Sequence, residues 1–417
     1  MAQWSSRPLP ESRGSSELMT QKRRVPIGRP SVLRHTNALS ILALLREAGT
    51  CSRADLVRAS GLSAPTVTNV VKDLLAANLV EPLGEGESRG GRPPDMIRFK
   101  ARRGCVLAVQ ITSEDIQFLL ADLDGNELGK LTLPLANEKT PPKAVCGSIG
   151  QGLRTLLRQQ RMTRDQLLVL VAGVPAITNV EEGVVLAIST MQGWRSVRLR
   201  AMLQKIVDCK VIVENDINLA ALGERYRGSS RGETDFTYIS IGRNVGAGIV
   251  LNGKIHHGAQ WSAGEIGYLR LPNTSRRQLT IFEFGELESV LTSSGILASW
   301  REQTGKSRSA ISSGVQVLDL AEAGNATAEK IVQHRAGIVA DMVLNLSLIL
   351  NPALILLGGT IGEHPALLRG VQQQLEGSEF GIPRVLTGTL GDTAVLWGGI
   401  MLALEFVPEV LLPPVAQ

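Results

Sequence analysis

Val213-Glu214-Asn215-Asp216-Ile217-Asn218-Leu219-Ala220-Ala221-Leu222-Gly223-Glu224 sets an Asn-Asp pair between two glutamates directly behind an apolar strand, Val211 to Val213. Comparable strands are expected at Cys105 to Val109, Leu167 to Val171, Phe236 to Ile241 and Ala353 to Leu357. Amphipathic helical stretches separate them, so the chain from Gly104 onward reads as an α/β body. No short repeat period is visible. The 417 residues are 43% hydrophobic and 20% charged, which excludes disordered, collagenous and coiled-coil classes and leaves room for two or three domains. No apolar run of membrane-spanning length stands out, so no membrane partner is expected. Met1 to Pro30 is polar, and no apolar segment follows Lys22, Arg23 and Arg24, so it does not read as a signal peptide. Cys51, Cys105, Cys146 and Cys209 are far apart and form no C-x-x-C, which fits a reduced cytoplasmic protein.

The net charge of +5 is unevenly spread. Residues 1–103 carry 17 Lys+Arg against 9 Asp+Glu, and the remainder carries 27 against 30. A basic module attached to a nearly neutral body suits a polyanionic partner. Within that module Ala38, Ile41, Leu42 and Leu45 keep helical spacing from about Arg34 to Gly49. Ser52 and Asp55 form a capping-box start to a second helix with Leu56 and Ala59 on its apolar face. Gly61 turns the chain, and Ser63 caps a third helix whose buried stripe is Val67, Val70, Val71, Leu74 and Leu75.

This arrangement leaves Thr66, Asn69 and Lys72 facing outward, side chains suited to base edges and phosphates of a major groove. Leu79-Val80-Glu81, a glycine-rich loop over 84–94 and Met96 to Phe99 then read as a β-hairpin wing. Arg89 and Arg92 stand at its tip, where they could enter a minor groove or clamp phosphate. The DNA-binding candidates are therefore Ser63, Thr66, Asn69, Lys72, Arg89 and Arg92, on a winged helix-turn-helix over 31–103 behind a flexible basic arm, 1–30.

Several collinear motifs resemble the ROK family of sugar-responsive repressors and sugar kinases. Residues 213–224 resemble its V-E-N-D-A-N-x-A-A-x-G-E segment. Ile239 to Gly253 resembles its G-T-G-V-G-A-G-I-x-x-x-G loop, and Ala263-Gly264-Glu265-Ile266-Gly267 its A-G-E-I-G-H segment. Leu357-Gly358-Gly359-Thr360 and Leu390 to Leu404 resemble its closing stretches, and Gly90-Gly91-Arg92-Pro93 ends the winged helix as in the family's repressors. The resemblance implies a two-lobed actin-like (ribonuclease H-like) effector body over 104–417. One lobe would be about 104–222 plus the C-terminal helix, the other 223–396, with sugar and nucleotide sites between them.

The resemblance also tells which machinery persists. Asp216 matches the catalytic carboxylate of the family's kinases, but it is read as vestigial. Where those kinases have D-x-G-G-T, this chain has Gln110, Thr112, Ser113 and Glu114, replacing the Asp and both glycines, and Asp115 falls one position late. Bulk and negative charge then stand where phosphate needs close backbone, so neither kinase activity nor any cofactor is expected. Gly242, Gly246 and Gly248 persist in the second loop, where a glycine hairpin explains them and Arg243 replaces the family Thr. The family's structural zinc is not expected, because Tyr268 replaces its His and Leu279, Ile281 and Glu286 fall at the Cys positions.

By the same resemblance Asn215, Asp216, Glu265 and Glu288 occupy sugar-contact positions. Gly193-Trp194 follows a pocket loop in which Thr190 replaces Asn; separately, Ala176 replaces the Gly of a V-P-G sequence as Val174-Pro175-Ala176, and Tyr268 replaces a His that would lie against the sugar. The expectation is a repressor that binds a double-stranded DNA operator as a homodimer or homotetramer and responds to a sugar or sugar derivative. The alternatives are an active ROK sugar kinase carrying a DNA-binding module, and a DNA-binding scaffold that senses no sugar.

Overall fold

The computed structural model describes residues 30–87, 93–271, 280, 283, 285–305, 310–378 and 381–413. The N-terminal module begins with α1 (Pro30–Ala48), one turn earlier than the spacing indicated, then β1 (Thr50–Ser52), α2 (Arg53–Ser60) and α3 (Ala64–Ala76). Ser52 and Asp55 close a reciprocal capping box on α2, Gly61 ends it in the left-handed region at φ 68, and Ser63 caps α3. The wing is β2 (Val80–Glu85) and β3 (Asp95–Phe99), antiparallel to each other, with β1 pairing on the far side of β3. Val67, Val70, Val71 and Leu74 are buried as expected, whereas Leu75 at the edge of the stripe is half-buried.

The body contains two five-stranded sheets built on one plan. The first comprises β4 (Cys105–Ile111), β5 (Asp115–Asp122), β6 (Glu127–Pro134), β7 (Leu167–Val174) and β10 (Lys210–Asn215), with α4 (Pro142–Gln159), β8 (Ile177–Asn179), β9 (Val184–Ala187) and α5 (Leu199–Leu203) inserted between them. Its order is β10-β7-β4-β5-β6: an antiparallel meander β4-β5-β6, with β7 and β10 parallel to β4 on the other side. After α6 (Asp216–Arg227) the second sheet repeats this plan. The meander is β11 (Phe236–Ile241), β12 (Val245–Leu251) and β13 (Lys254–Ile255).

The helices α7 (Glu286–Leu291), α8 (Ser293–Thr304), α9 (Gly314–Glu322) and α10 (Ala326–Leu350) follow. Then β14 (Leu354–Gly358), α11 (Gly359–Gly362), α12 (Pro365–Leu375) and β15 (Arg384–Thr387) add parallel strands to β11, and α13 (Ala394–Leu411) ends the described chain. This is a duplicated, actin-like architecture.

Two helices lie between the sheets. Ala220 and Ala221 of α6 pack with Phe236, Tyr238 and Val250 of the second sheet, while Leu219 and Leu222 share a core with Leu396, Trp397 and Ile400 of α13 and with Val106 and Ala108 of the first. The expected lobe boundary at residue 222 thus falls inside α6, a helix that serves both lobes. The approach of α6 to α13 is close enough to require glycine, since a Cβ at Gly398 would overlap the Leu219 carbonyl oxygen and one at Gly223 that of Ala394. Helix α13 has the length and hydropathy of a membrane span, which the sequence reading did not anticipate. Its buried residues, among them Leu396, Trp397, Ile400, Ala403 and Val407, explain that composition by packing on both sides. The winged-helix core, including Ile41, Leu45, Val71 and Phe99, runs without a break into this same cluster.

Candidate functional site

A cavity of about 750 Å³ opens between the two sheets, and Asn215, Asp216, Glu265, Tyr268, Glu288 and Thr190 all line it. Their placement follows from the ends of secondary structure, where backbone groups need partners. Asn215, the last residue of β10, caps α6: its Oδ1 accepts from the amides of Ile217 at 2.8 Å and Asn218 at 3.0 Å, and its Nδ2 donates to the Ala176 carbonyl at 3.1 Å. Much of its hydrogen-bonding capacity is therefore engaged by the fold itself. Asp216, the first residue of α6, accepts only from the neighbouring Ile217 amide at 2.9 Å. Burial pushes its carboxyl up to about 6 in spite of that bond.

Glu265 sits before the single helical turn Ile266–Tyr268, where burial and then the charges of Glu288 and Asp216 push it up to about 7. Glu288 in α7 accepts from the amides of Gly285 at 2.7 Å and Val245 at 3.3 Å, tying α7 to β12, and burial still raises its pKa. The Tyr268 hydroxyl donates to the Glu283 carbonyl at 2.7 Å. Thr190 Oγ1 and Gln110 Oε1 are buried and have no hydrogen-bond partner among the described residues. Trp194 instead belongs to the core, donating its indole N–H to the Thr140 carbonyl at 3.1 Å. The outcome is a polyol-sized cleft with three closely spaced carboxylates, suited to accept hydrogen bonds from adjacent hydroxyls.

The turn between β4 and β5 forms the other part of the cleft. Thr112 Oγ1 accepts from the amides of Glu114 at 3.1 Å and Asp115 at 3.0 Å and donates to Asp115 Oδ1 at 2.8 Å. The Thr112 amide bonds the Asp115 carbonyl at 2.9 Å. Arg243, from the turn between β11 and β12, reaches across to Glu114 Oε1 at 2.9 Å and Ser113 Oγ at 3.1 Å. Two residues read separately as departures from the kinase pattern thus meet. Gly246 and Gly248 lie in β12, where a Cβ would strike Ile217 and Ala221 of α6; close packing, rather than the hairpin turn, requires them.

Sequence reasoning missed the buried tethers that lie behind the cleft. Buried Glu214 holds the Asn215 amide at 2.7 Å, Asn218 Nδ2 at 3.0 Å and His257 Nε2 at 2.8 Å, the last coming from the opposite lobe. Glu224, fully buried, accepts from the amides of Ser229, Thr389 and Leu390 at 2.8 to 2.9 Å. Both stood inside the quoted motif, but nothing local in the sequence tells a buried tether from a ligand contact.

On the DNA-binding module, Ser63, Asn69 and Lys72 are exposed and Thr66 is half-buried, all on or before α3. Ser63 Oγ bonds the Thr66 hydroxyl at 2.8 Å and receives the Thr66 amide at 3.4 Å, so this pair is engaged with itself. Arg89 and Arg92 lie outside the described residues, as do Leu279 and Ile281 of the zinc comparison. Among the described residues no group of three His, Cys, Asp or Glu is placed to hold a metal.

Residues 106–405 match the ROK family and residues 35–91 the MarR family. A xylose repressor of Caldicellulosiruptor bescii is 25% identical over 91% of this chain and 98% of its own length. A glucokinase of Halalkalibacterium halodurans is 27% identical over 70% of this chain and 93% of its own length. The crystal structure of a ROK family transcriptional regulator, a homolog of the E. coli MLC protein, superposes with a TM-score of 0.74 at 22% identity, covering 91% of this chain and 98% of that one. The chain belongs to the ROK family and carries a MarR-type winged helix ahead of the ROK body.

Proposed function

We propose that this protein is a DNA-binding, sugar-responsive transcriptional repressor of carbohydrate-metabolism genes, working in the cytoplasm, whose kinase-like body is a sensor rather than a catalyst. One observation carries the loss of catalysis. A phosphate-binding turn works by presenting free amides, and here the amides of Thr112, Glu114 and Asp115 are bonded within the turn while Arg243 holds Glu114 and Ser113 from the facing lobe. An arriving polyphosphate must break those bonds and meet the Glu114 carboxylate.

In this reading residues 1–30 are a basic arm, 31–103 the DNA-binding domain and 104–417 the effector domain. Asp216, Glu265 and Glu288 take sugar hydroxyls, with Thr190 and Tyr268 shaping the pocket and Asn215 orienting its neighbour. Asn69 and Lys72 enter the major groove, Ser63 and Thr66 contact the adjacent phosphate, and Arg89 and Arg92 act from the wing. A homodimer or homotetramer would present paired winged helices to a pseudo-palindromic operator. Linkage then requires sugar and DNA to weaken each other equally, typically by about 1 to 3 kcal/mol.

Fluorescence anisotropy on DNA from upstream of the gene tests this, with a panel of sugars and sugar phosphates. Saturable binding released by one sugar is the expected result. Binding that no sugar alters favours the scaffold. The Asp216 carboxyl, raised to about 6 as suits a general base, together with the glucokinase relative, keeps a kinase assay worthwhile: ATP turnover abolished by Asp216→Asn would establish the enzyme and overturn the sensor.

A further inference from the structure

The winged helix rests on the body at several places, and one of them is a short turn, Asp122 to Asn126, between β5 and β6. Its shape is fixed from inside: the buried Asp122 carboxylate accepts from the amides of Asp124 at 3.0 Å and Asn126 at 2.8 Å and from Asn126 Nδ2 at 3.0 Å. Two arginines grip it from opposite sides. Arg46, in the last turn of α1, donates from Nη2 to the Leu123 carbonyl at 2.7 Å and lies over the Phe99 ring of the wing at 5.8 Å. Arg227, at the end of α6, donates to the Gly125 carbonyl at 2.7 Å and stacks on Trp397 of α13 at 3.6 Å. Beside it the Tyr226 ring packs so closely on Gly125 that a Cβ there would overlap its hydroxyl.

The other end of α6 is Asn215-Asp216, in the wall of the cleft. Twelve residues of helix span about 18 Å at 1.5 Å each, so one rigid rod runs from the cleft to this turn. A rod capped at the effector end and clamped at the far end transmits rotation rather than absorbing it. Arg46 Nε also lies 3.8 Å from Asp124 Oδ1, a long ion pair that adds to the grip on the turn.

We propose that the Asp122–Asn126 turn is the joint through which effector binding at the N-terminus of α6 reorients the winged helix, with Arg227 and Arg46 as its positioning residues on the two sides. This rests on the sensor reading given above.

The test uses the full chain and the probes D-glucose, D-xylose, D-glucosamine, N-acetyl-D-glucosamine and glucose 6-phosphate. Melting temperature identifies which of them binds, and hydrogen-deuterium exchange then follows the amides of α6, the turn, α1 and β1. The expected result is that the bound sugar changes exchange by fivefold or more, the low end of allosteric coupling, along α6 and onward into the last turn of α1. In Arg46→Met the sugar should bind as before and its effect should stop at the turn. Asp124→Asn, which leaves the Leu123 bond in place, serves as a milder second variant and should narrow the effect in α1. Propagation into α1 that survives both variants overturns the joint, as does a wild-type response that never leaves the body. A panel in which no sugar raises the melting temperature instead removes the sensor reading, and the joint with it.

Discussion

Replacing Glu265 with Gln should stabilise the protein at pH 8 while abolishing its response to sugar. Glu265 has an ordinary pKa of 4.5 and stands at about 7, chiefly because burial penalises its charge and then because Glu288 and Asp216 face it. A folded-state carboxyl raised above its unfolded value binds its proton more tightly in the folded form. Stability is therefore highest below about pH 4.5 and declines as pH rises toward 7. Each tenfold change in proton affinity is worth about 1.4 kcal/mol, which sets an upper bound of roughly 3 kcal/mol at pH 8. Water in the cleft screens part of this, so about 1 to 2 kcal/mol is the working figure.

Gln keeps the shape and discards the charge. At ~2.1 cal/mol/K per residue over a body of about 300 residues, the gain corresponds to a rise of about 2 to 3 °C in Tm at pH 8. At pH 4 the gain should nearly vanish, because the wild-type group is then mostly protonated in both the folded and the unfolded state. Thermal unfolding of both proteins at the two pH values is the assay. An equal shift at both, or a loss at pH 8, would refute the assignment of Glu265 as a cleft carboxylate held at the expense of stability.

Lys72→Ala should weaken operator binding and lower the salt slope of log affinity by about 1, whereas Asn69→Ala should relax sequence preference at one position; anisotropy titrations at several salt concentrations separate the two. Glu224→Gln should cost about 1 to 3 kcal/mol, since an amide N–H would face one of the backbone N–H groups this side chain now accepts, and urea unfolding reads it directly. Gly398→Ala should prevent folding or leave a loosened body with weak near-ultraviolet circular dichroism, because its Cβ would overlap the Leu219 carbonyl and force α6 away from α13.

What was legible in the sequence was whatever rests on local rules. The capping box at Ser52, the left-handed Gly61, the cap at Ser63 and the buried stripe of α3 are dictated by neighbours within four residues, and all were found from spacing. The cleft residues were legible for another reason: the ROK motifs carry them in order, and the fold brings all six to one cavity. Long-range partnerships were not legible. Glu114 and Arg243 are 129 positions apart, and each alone looked like decay of a kinase motif; only the facing of the two sheets brings their turns together. The doubling of the body was hidden too. Two sheets with the same strand order need only matching burial patterns, not matching residues, so no repeat survives in the letters.

That doubling explains how a sugar kinase body becomes a switch with little remodelling. The turn that binds phosphate in a kinase lies at the end of the first strand of the first sheet, and its counterpart, which carries Arg243, lies between the first two strands of the second. Where a nucleotide is bound between such turns, its phosphates bridge the lobes. Here an exposed ion pair bridges them instead, and such a pair is worth about 0 to 1 kcal/mol. An energy this small adds little to the lobe contacts already made by α6, α13 and the Glu214–His257 bond, so this pair by itself does not lock the cleft. A tightly clamped cleft would bind sugar without reporting it, and an empty one would leave the lobes unrelated. In the sensor reading proposed above, the Arg243–Glu114 pair between these turns, together with α6 leading from the cleft to the turn under the winged helix, would meet both requirements with side chains alone.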